Sequence, residues 1–256
     1  DGLLNQRLDT PFIKYNKKFD KASWKEVFNI IKAKVNETEK DKICGFTGDL
    51  SNMETLYTFK EFFNKSLNSK NLESRSNHAY FNPEKRENYL FNSSINGIEE
   101  SDFIFIIGSN PRYEATMLNA RIRKAYLKNK TKIYSLGNVG DLTYPYNVLS
   151  NETKVIKDIE SNNHNVADMI INSKKPLIII GQSVLKLNSG IYVFEEIKKY
   201  LQKNKKITKD WNALNILSKN ASTVGSYDLN IFSSNNGKKI SFDKIKKNEF
   251  EVLFLF

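Results

Sequence analysis

Three apolar runs in this 256-residue chain end in glycine. They are "DKICGFTGDL" at 41–50, "DFIFIIGSNPR" at 102–112 and "KPLIIIGQS" at 175–183. A strand, a glycine turn and a helix start together form a place where backbone amides can meet a phosphate. In an open α/β sheet, ligands bind at the carboxyl ends of the strands. The middle turn carries the most information. Gly108 releases the strand, Ser109 or Asn110 can cap the helix, and Pro111 suits its first position. None of the turns has the G-x-G-x-x-G or G-x-x-x-x-G-K-[ST] spacing, and "GFTGDLSN" lacks the phosphate-binding lysine. Each glycine serves equally well as a tight turn without steric cost.

Other reactive side chains are sparse. Cys44 is the one cysteine, so no intrachain disulfide forms, and a cluster needing four thiolates cannot be held by this chain alone. His78 and His164 lie far apart without metal-ligand spacing. Arg112 falls in a first helical turn, where the macrodipole disfavours a cation, so an acidic group is expected to meet it. Arg112, Arg121 and Arg123 are candidate ion-pair positions, within the lobe or across its interfaces. Glu114 and Arg121 are read as two turns apart on one face of a single helix beginning at Pro111.

These turns need a frame of alternating strands and helices. Residues 23–35 predict a helix with Ser23 as N-cap and Glu26 at the capping-box position. Trp24, Val27, Phe28, Ile31 and Val35 form its apolar face. A helix capped by Asp49 or Ser51 is expected through "METLYTFKEFFNKSL", with Met53, Leu56, Tyr57, Phe59, Phe63 and Leu67 turned to a core. "FIFIIG" (103–108), "KIYSLG" (132–137) and "KPLIIIGQS" read as buried strands. Ala115, Leu118, Ile122 and Ala125 are the inward stripe of the helix after Pro111. Helices are expected within 153–173, over 191–203 and in "WNALNILSKNAS" (211–222), and a strand in the terminal "EFEVLFLF". The asparagine-rich stretch 68–94 reads as a long surface excursion. Repeated strand–glycine–helix units imply an α/β fold of mostly parallel sheets with flanking helices.

Composition narrows the function classes. Forty basic against 29 acidic residues leave a net charge of +11. That balance admits a basic nucleic-acid-binding module, yet no recognition signature accompanies it. The lysines are spread along the chain, and their abundance beside Phe, Ile, Asn and Tyr is the mixture an AT-rich coding sequence produces. No apolar run reaches the ~18 residues of a transmembrane helix, so no direct membrane span is expected.

A resemblance covers nearly the whole chain. "IEESDFIFIIGSNPRYEATMLNARIRKAYLKN" resembles the large iron–sulfur subunit of respiratory complex I, in that subunit's C-terminal, molybdopterin-oxidoreductase-like region. "DGLLNQRLDTPFIK", "GFTGDLSNMETLYTFKEFFNKSL", "DLTYPYNVLSN", "KPLIIIGQSVL" and "WNALNILSKNASTVGSYDLN" are similar to further segments of that region, in the expected order. Thr116 departs from the proline common at its place.

The resemblance implies Rossmann-like lobes of the molybdopterin-oxidoreductase type. It divides the chain into a lead-in segment with a helix (1–40) and an α/β domain (41–256), incomplete at its C-terminal end. Catalytic relatives use the G-[ST]-N-P turn to hold a molybdenum cofactor. The complex I subunit is understood to lack it, which implies no catalytic, cofactor-binding or metal-binding residue here. Iron–sulfur clusters are expected in a partner half of the same subunit or in neighbouring subunits. The implied role is a non-catalytic scaffold, part of a split subunit. It would sit in the peripheral arm, on the matrix side of the mitochondrial inner membrane, among other complex I subunits and away from nucleic acid. The enzymatic alternative is the cofactor-binding core of an active molybdopterin oxidoreductase.

Overall fold

A computed structural model describes residues 4, 7–48, 50–74, 79–232 and 244–256. The chain divides into two compact units, and each is described by itself. The first comprises 1–74, 231–234 and 239–256; the second comprises 75–230 and 235–238.

The first unit begins with an antiparallel hairpin, β1 (Phe12–Tyr15) and β2 (Lys18–Lys21). Asn16 and Lys17 both adopt positive φ, the two-residue turn whose twist matches that of a hairpin. Helix α1 (Trp24–Glu37) follows with the expected capping box: Ser23 Oγ accepts the Glu26 amide at 3.2 Å, and Glu26 accepts the Ser23 amide at 3.3 Å. Its apolar face departs from expectation, because α1 buries none of its residues.

A three-stranded parallel sheet, in the order β10–β3–β4, comes next: β3 (Ile43–Phe46), β4 (Leu72–Glu73) and β10 (Val252–Leu255). Helix α2 (Met53–Glu61) is capped by Asn52, whose Oδ1 accepts the Thr55 amide at 2.8 Å. That corrects the expected Ser51; Asp49 lies outside the described residues. Leu56, Phe59, Phe63 and Leu67 are buried as predicted, whereas Met53 and Tyr57 are exposed. Gly45 lets β3 approach this helix, since a Cβ there would lie 2.6 Å from the Phe59 ring.

The second unit holds a five-stranded, all-parallel sheet in the order β7–β6–β5–β8–β9. The strands are β5 (Phe103–Ile107), β6 (Lys132–Leu136), β7 (Asn147–Ser150), β8 (Pro176–Gly181) and β9 (Leu214–Leu217). The chain builds outward from β5 through β6 to β7, then returns to β8 on the other side of β5. Right-handed crossovers therefore put α4 (Thr116–Asn129) on one face and α8 (Gly190–Lys203) on the other. Ile104 and Ile106 of β5 share a core with Leu118 and Ile122 of α4 and Ile179 of β8. Both outward journeys start from the β5/β8 pair, which makes its carboxyl end the topological switch point.

Three local expectations are corrected. The helix after Pro111 is broken at Ala115 (φ −154°, ψ 69°) into α3 (Pro111–Glu114) and α4. Glu114 and Arg121 therefore do not share one helical face. The helix expected within 153–173 is present, divided into α5 (Val155–Glu160) and α6 (Asn165–Asn172) by a turn at Asn162 (φ 59°). "WNALNILSKNAS" contains strand β9, not a helix. Its short apolar run is equally compatible with either, and pairing with β8 decides.

The asparagine-rich stretch is not a surface excursion beyond residue 79. It covers the outer edge of β9: the Ile216 amide bonds Leu90 O, Asn92 bonds Leu214 O at 2.7 Å, and Ser93 pairs with Asn215. Asparagine carries a donor and an acceptor, so it can satisfy backbone groups at a buried edge.

Candidate functional site

The switch-point turns sit in direct contact. Gly108 has φ +62°, and a Cβ on it would fall 2.4 Å from the Val184 Cβ. A Cβ on Gly181 would fall 2.2 Å from the Gly108 carbonyl oxygen. The Ser183 hydroxyl, in the short helix α7 (Gln182–Leu185), donates to that same oxygen. The floor of the crevice is thus filled by Val184 and by the two backbones.

The turn's polar side chains and the first amides of the helix are already committed. Asn110 Oδ1 accepts the Arg112 amide at 3.1 Å, and its Nδ2 donates to Val139 O at 2.7 Å. The Asn110 carbonyl takes the Tyr113 and Glu114 amides. Ser109 is buried, and its hydroxyl donates to the Glu114 carboxylate at 2.9 Å. A carboxylate therefore stands beside the turn where a phosphate would rest, and α3 is only one turn long. The groove of about 500 Å³ beside it is lined by Phe91, Ile95, Tyr113, Met117 and Leu217, with Glu114 among them. Ser94 and Thr116 add hydroxyls, but the lining carries a carboxylate and no basic side chain, unlike a phosphate site.

The arginines resolve into internal contacts. Arg112 pairs with Asp141 at 2.5 Å and bonds its carbonyl at 2.9 Å, supplying the acidic partner expected at a helix start. The Thr143 amide and then Arg112 hold the Asp141 carboxyl below its usual range. Arg121 and Lys124 share Glu99, whose pKa is lowered by Lys124 first and Arg121 second. Arg123 reaches the Thr143 carbonyl at 3.3 Å.

Asp141 and Glu99 were not singled out in the sequence. Only the acid–x–Thr turn at 141–143, closed by the Thr143 amide on Asp141 Oδ1 at 2.7 Å, marks the first of them. Beneath α4 a buried chain runs from the Tyr144 hydroxyl to Asn119 Oδ1 (2.7 Å) and from Asn119 Nδ2 to Leu142 O (3.0 Å). Burial pushes the Tyr144 phenol well above its ordinary value. Gln182 is buried and accepts the Lys219 amide at 2.9 Å, while its Nε2 has no partner among the described residues.

His164 is a helix cap: its Nδ1 accepts the Val166 amide at 3.2 Å. His78 lies outside the described residues. Cys44 is buried in β3. Among the described residues no three His, Cys, Asp or Glu side chains gather as metal ligands, and no helix is long and apolar enough to cross a membrane.

The comparisons agree with this architecture. The chain is 37% identical, over 97% of its length, to the NADH-ubiquinone oxidoreductase 75 kDa subunit of Reclinomonas americana. It is 32% identical, over 96% of its length, to an NADH-quinone oxidoreductase subunit of Rickettsia bellii. It is 31% identical over 90% to the mitochondrial NADH dehydrogenase [ubiquinone] iron-sulfur protein 1 of Solanum tuberosum. It spans 38%, 38% and 31% of those proteins, so it matches about a third of each. A family model described as "Molybdopterin oxidoreductase" matches residues 7–256. With its parallel sheets, its reversal of strand order and this match over almost its whole length, the chain belongs to the molybdopterin oxidoreductase family.

Proposed function

We propose that this chain is a non-catalytic α/β scaffold of the large iron–sulfur subunit of complex I. It stands in the peripheral arm, on the matrix side of the mitochondrial inner membrane. The relatives supply the assembly: those of Reclinomonas and Rickettsia are subunits of an NADH–ubiquinone and an NADH–quinone oxidoreductase. The Ser109–Glu114 contact carries the non-catalytic part, because it sets a carboxylate where a dinucleotide phosphate would lie. The packed Gly108 and Gly181 backbones support it by leaving no depth below.

In this reading the chain holds no cofactor. The clusters belong to the N-terminal half of the same subunit and to neighbouring subunits of the arm, which are its partners. Electrons pass through those clusters, and this lobe braces them.

The test is native isolation of the chain from its own membranes. The expected result is co-migration with NADH-oxidising activity and no molybdenum or pterin bound to this polypeptide. Stoichiometric molybdenum or pterin on the chain would overturn the scaffold reading.

A further inference from the structure

The groove beside the Gly108 turn keeps a charge without a counter-charge. All six residues from Tyr113 to Leu118 border it. A helix turning about 100° per residue would carry six consecutive side chains around its whole circumference. The break at Ala115 instead lets α3 and the start of α4 line one side of the groove. Glu114 is half-buried there. Its carboxylate accepts the Ser109 hydroxyl and has no ion pair among the described residues. Arg112, two positions earlier, is turned to Asp141 and leaves Glu114 uncompensated.

The rest of the lining says what the missing cation must look like. Phe91 and Tyr113 supply aromatic rings, and Ile95 and Met117 supply aliphatic surface. Aromatic faces attract a cation, and a thioether adapts to an irregular apolar body. Tyr113 is 79% and Met117 72% exposed, so a bound molecule would take apolar surface out of water. The hydroxyls of Ser94 and Thr116 border the same space and can accept N–H groups. A volume of about 500 Å³ suits a small molecule. A bare divalent ion needs several oxygen ligands, and Glu114 is the one carboxylate in the lining. An anionic ligand would meet that carboxylate with no base to offset it.

We propose that this groove binds a small organic ammonium ion, with its N–H groups on the Glu114 carboxylate and its aromatic or aliphatic body along Tyr113 and Met117. The site goes beyond the scaffold reading and does not rest on it, because binding is measured on the chain itself.

Methyl NMR of the full chain, isotope-labelled at its three methionines, tests the site. Phenethylammonium is expected to shift the Met117 signal saturably and to leave Met53 and Met169 in place. Neutral phenethyl alcohol should bind more weakly, and anionic phenylpropionate more weakly still. Added salt should weaken the ammonium and not the alcohol. Glu114→Gln keeps an acceptor for Ser109 and removes the charge, so it should weaken phenethylammonium about tenfold. Unmoved Met53 and Met169 signals show that the variant is folded. The probe series on the wild-type chain decides the question even if the variant is not.

Equal or tighter binding of phenylpropionate would overturn the proposal, as would an unchanged affinity in Glu114→Gln or a Met117 signal that no probe moves. So would a carbodiimide link, in the native complex, between Glu114 and a lysine of another polypeptide, since the groove would then be a subunit contact. Molybdenum or pterin on the chain would overturn the scaffold reading and not this one, so the two fail separately.

Discussion

The Ser183 hydroxyl of one strand-end turn donates to the Gly108 carbonyl of the other, and beneath that bond Gly181 packs against the same oxygen. The two turns behave as one piece. Alanine at Gly181 would set a methyl 2.2 Å from that oxygen, against backbone that cannot swing aside. The expected cost is about 2–3 kcal/mol. Urea unfolding followed by Trp211 fluorescence, in a Trp24→Phe background, measures it. Trp211 reports on the second unit because its indole donates to Pro176 O at 2.8 Å. An unchanged midpoint would mean that the turns can separate.

Tyr144→Phe removes the donor to Asn119 and strands a buried amide oxygen. The stability loss should be about 1–2 kcal/mol. Asn119→Leu in the same background should then cost less than it does alone, since the two groups are partners. A double-mutant cycle on the same fluorescence signal reads the coupling, and additive losses would contradict it.

Glu99 gives a pH dependence of known sign. Lys124 and Arg121 hold its folded pKa below the ordinary value of 4.5, so the folded state favours the ionised form. Its contribution is complete above the unfolded pKa and fades as the pH falls through the lowered folded one. Glu99→Gln should destabilise the chain at pH 7 and much less at pH 3. Thermal melts at the two pH values check this. An equal shift at both would remove Glu99 from the account.

Thr116 stands at the first position of α4, after Ala115 in a non-helical conformation. Proline suits that position, and its fixed φ reduces the freedom of the unfolded chain. Thr116→Pro is expected to stabilise by about 0.5 kcal/mol. A lowered melting temperature would show that the break at Ala115 does not accept a following proline.

Continuous apolar runs announced β5 and β8, since a strand buried on both faces of a parallel sheet has no polar alternation to preserve. Gly108, Pro111 and the Ser23–Glu26 pair marked their turn and helix starts by local chemistry alone. Strand β9 is not legible locally, because Leu214–Leu217 carries no mark that separates it from a helix; the hydrogen bonds from β8 distinguish the two. The 79–94 stretch resembles a surface segment for a related reason. Polar composition reports on hydrogen-bonding capacity, and here Asn92 and Ser93 spend that capacity on the edge of β9.

At the strand ends the division is sharper. Residue types alone established the fold class, the glycine turn and the need of Arg112 for an acidic partner, because each follows from the stereochemistry of a few consecutive residues. That the partner is Asp141 and that Gly181 closes on Gly108 are relations between residues 29 and 73 positions apart. They exist only once five parallel strands are in register, because that registry brings the two turns to the same end of the sheet and leaves no space between them.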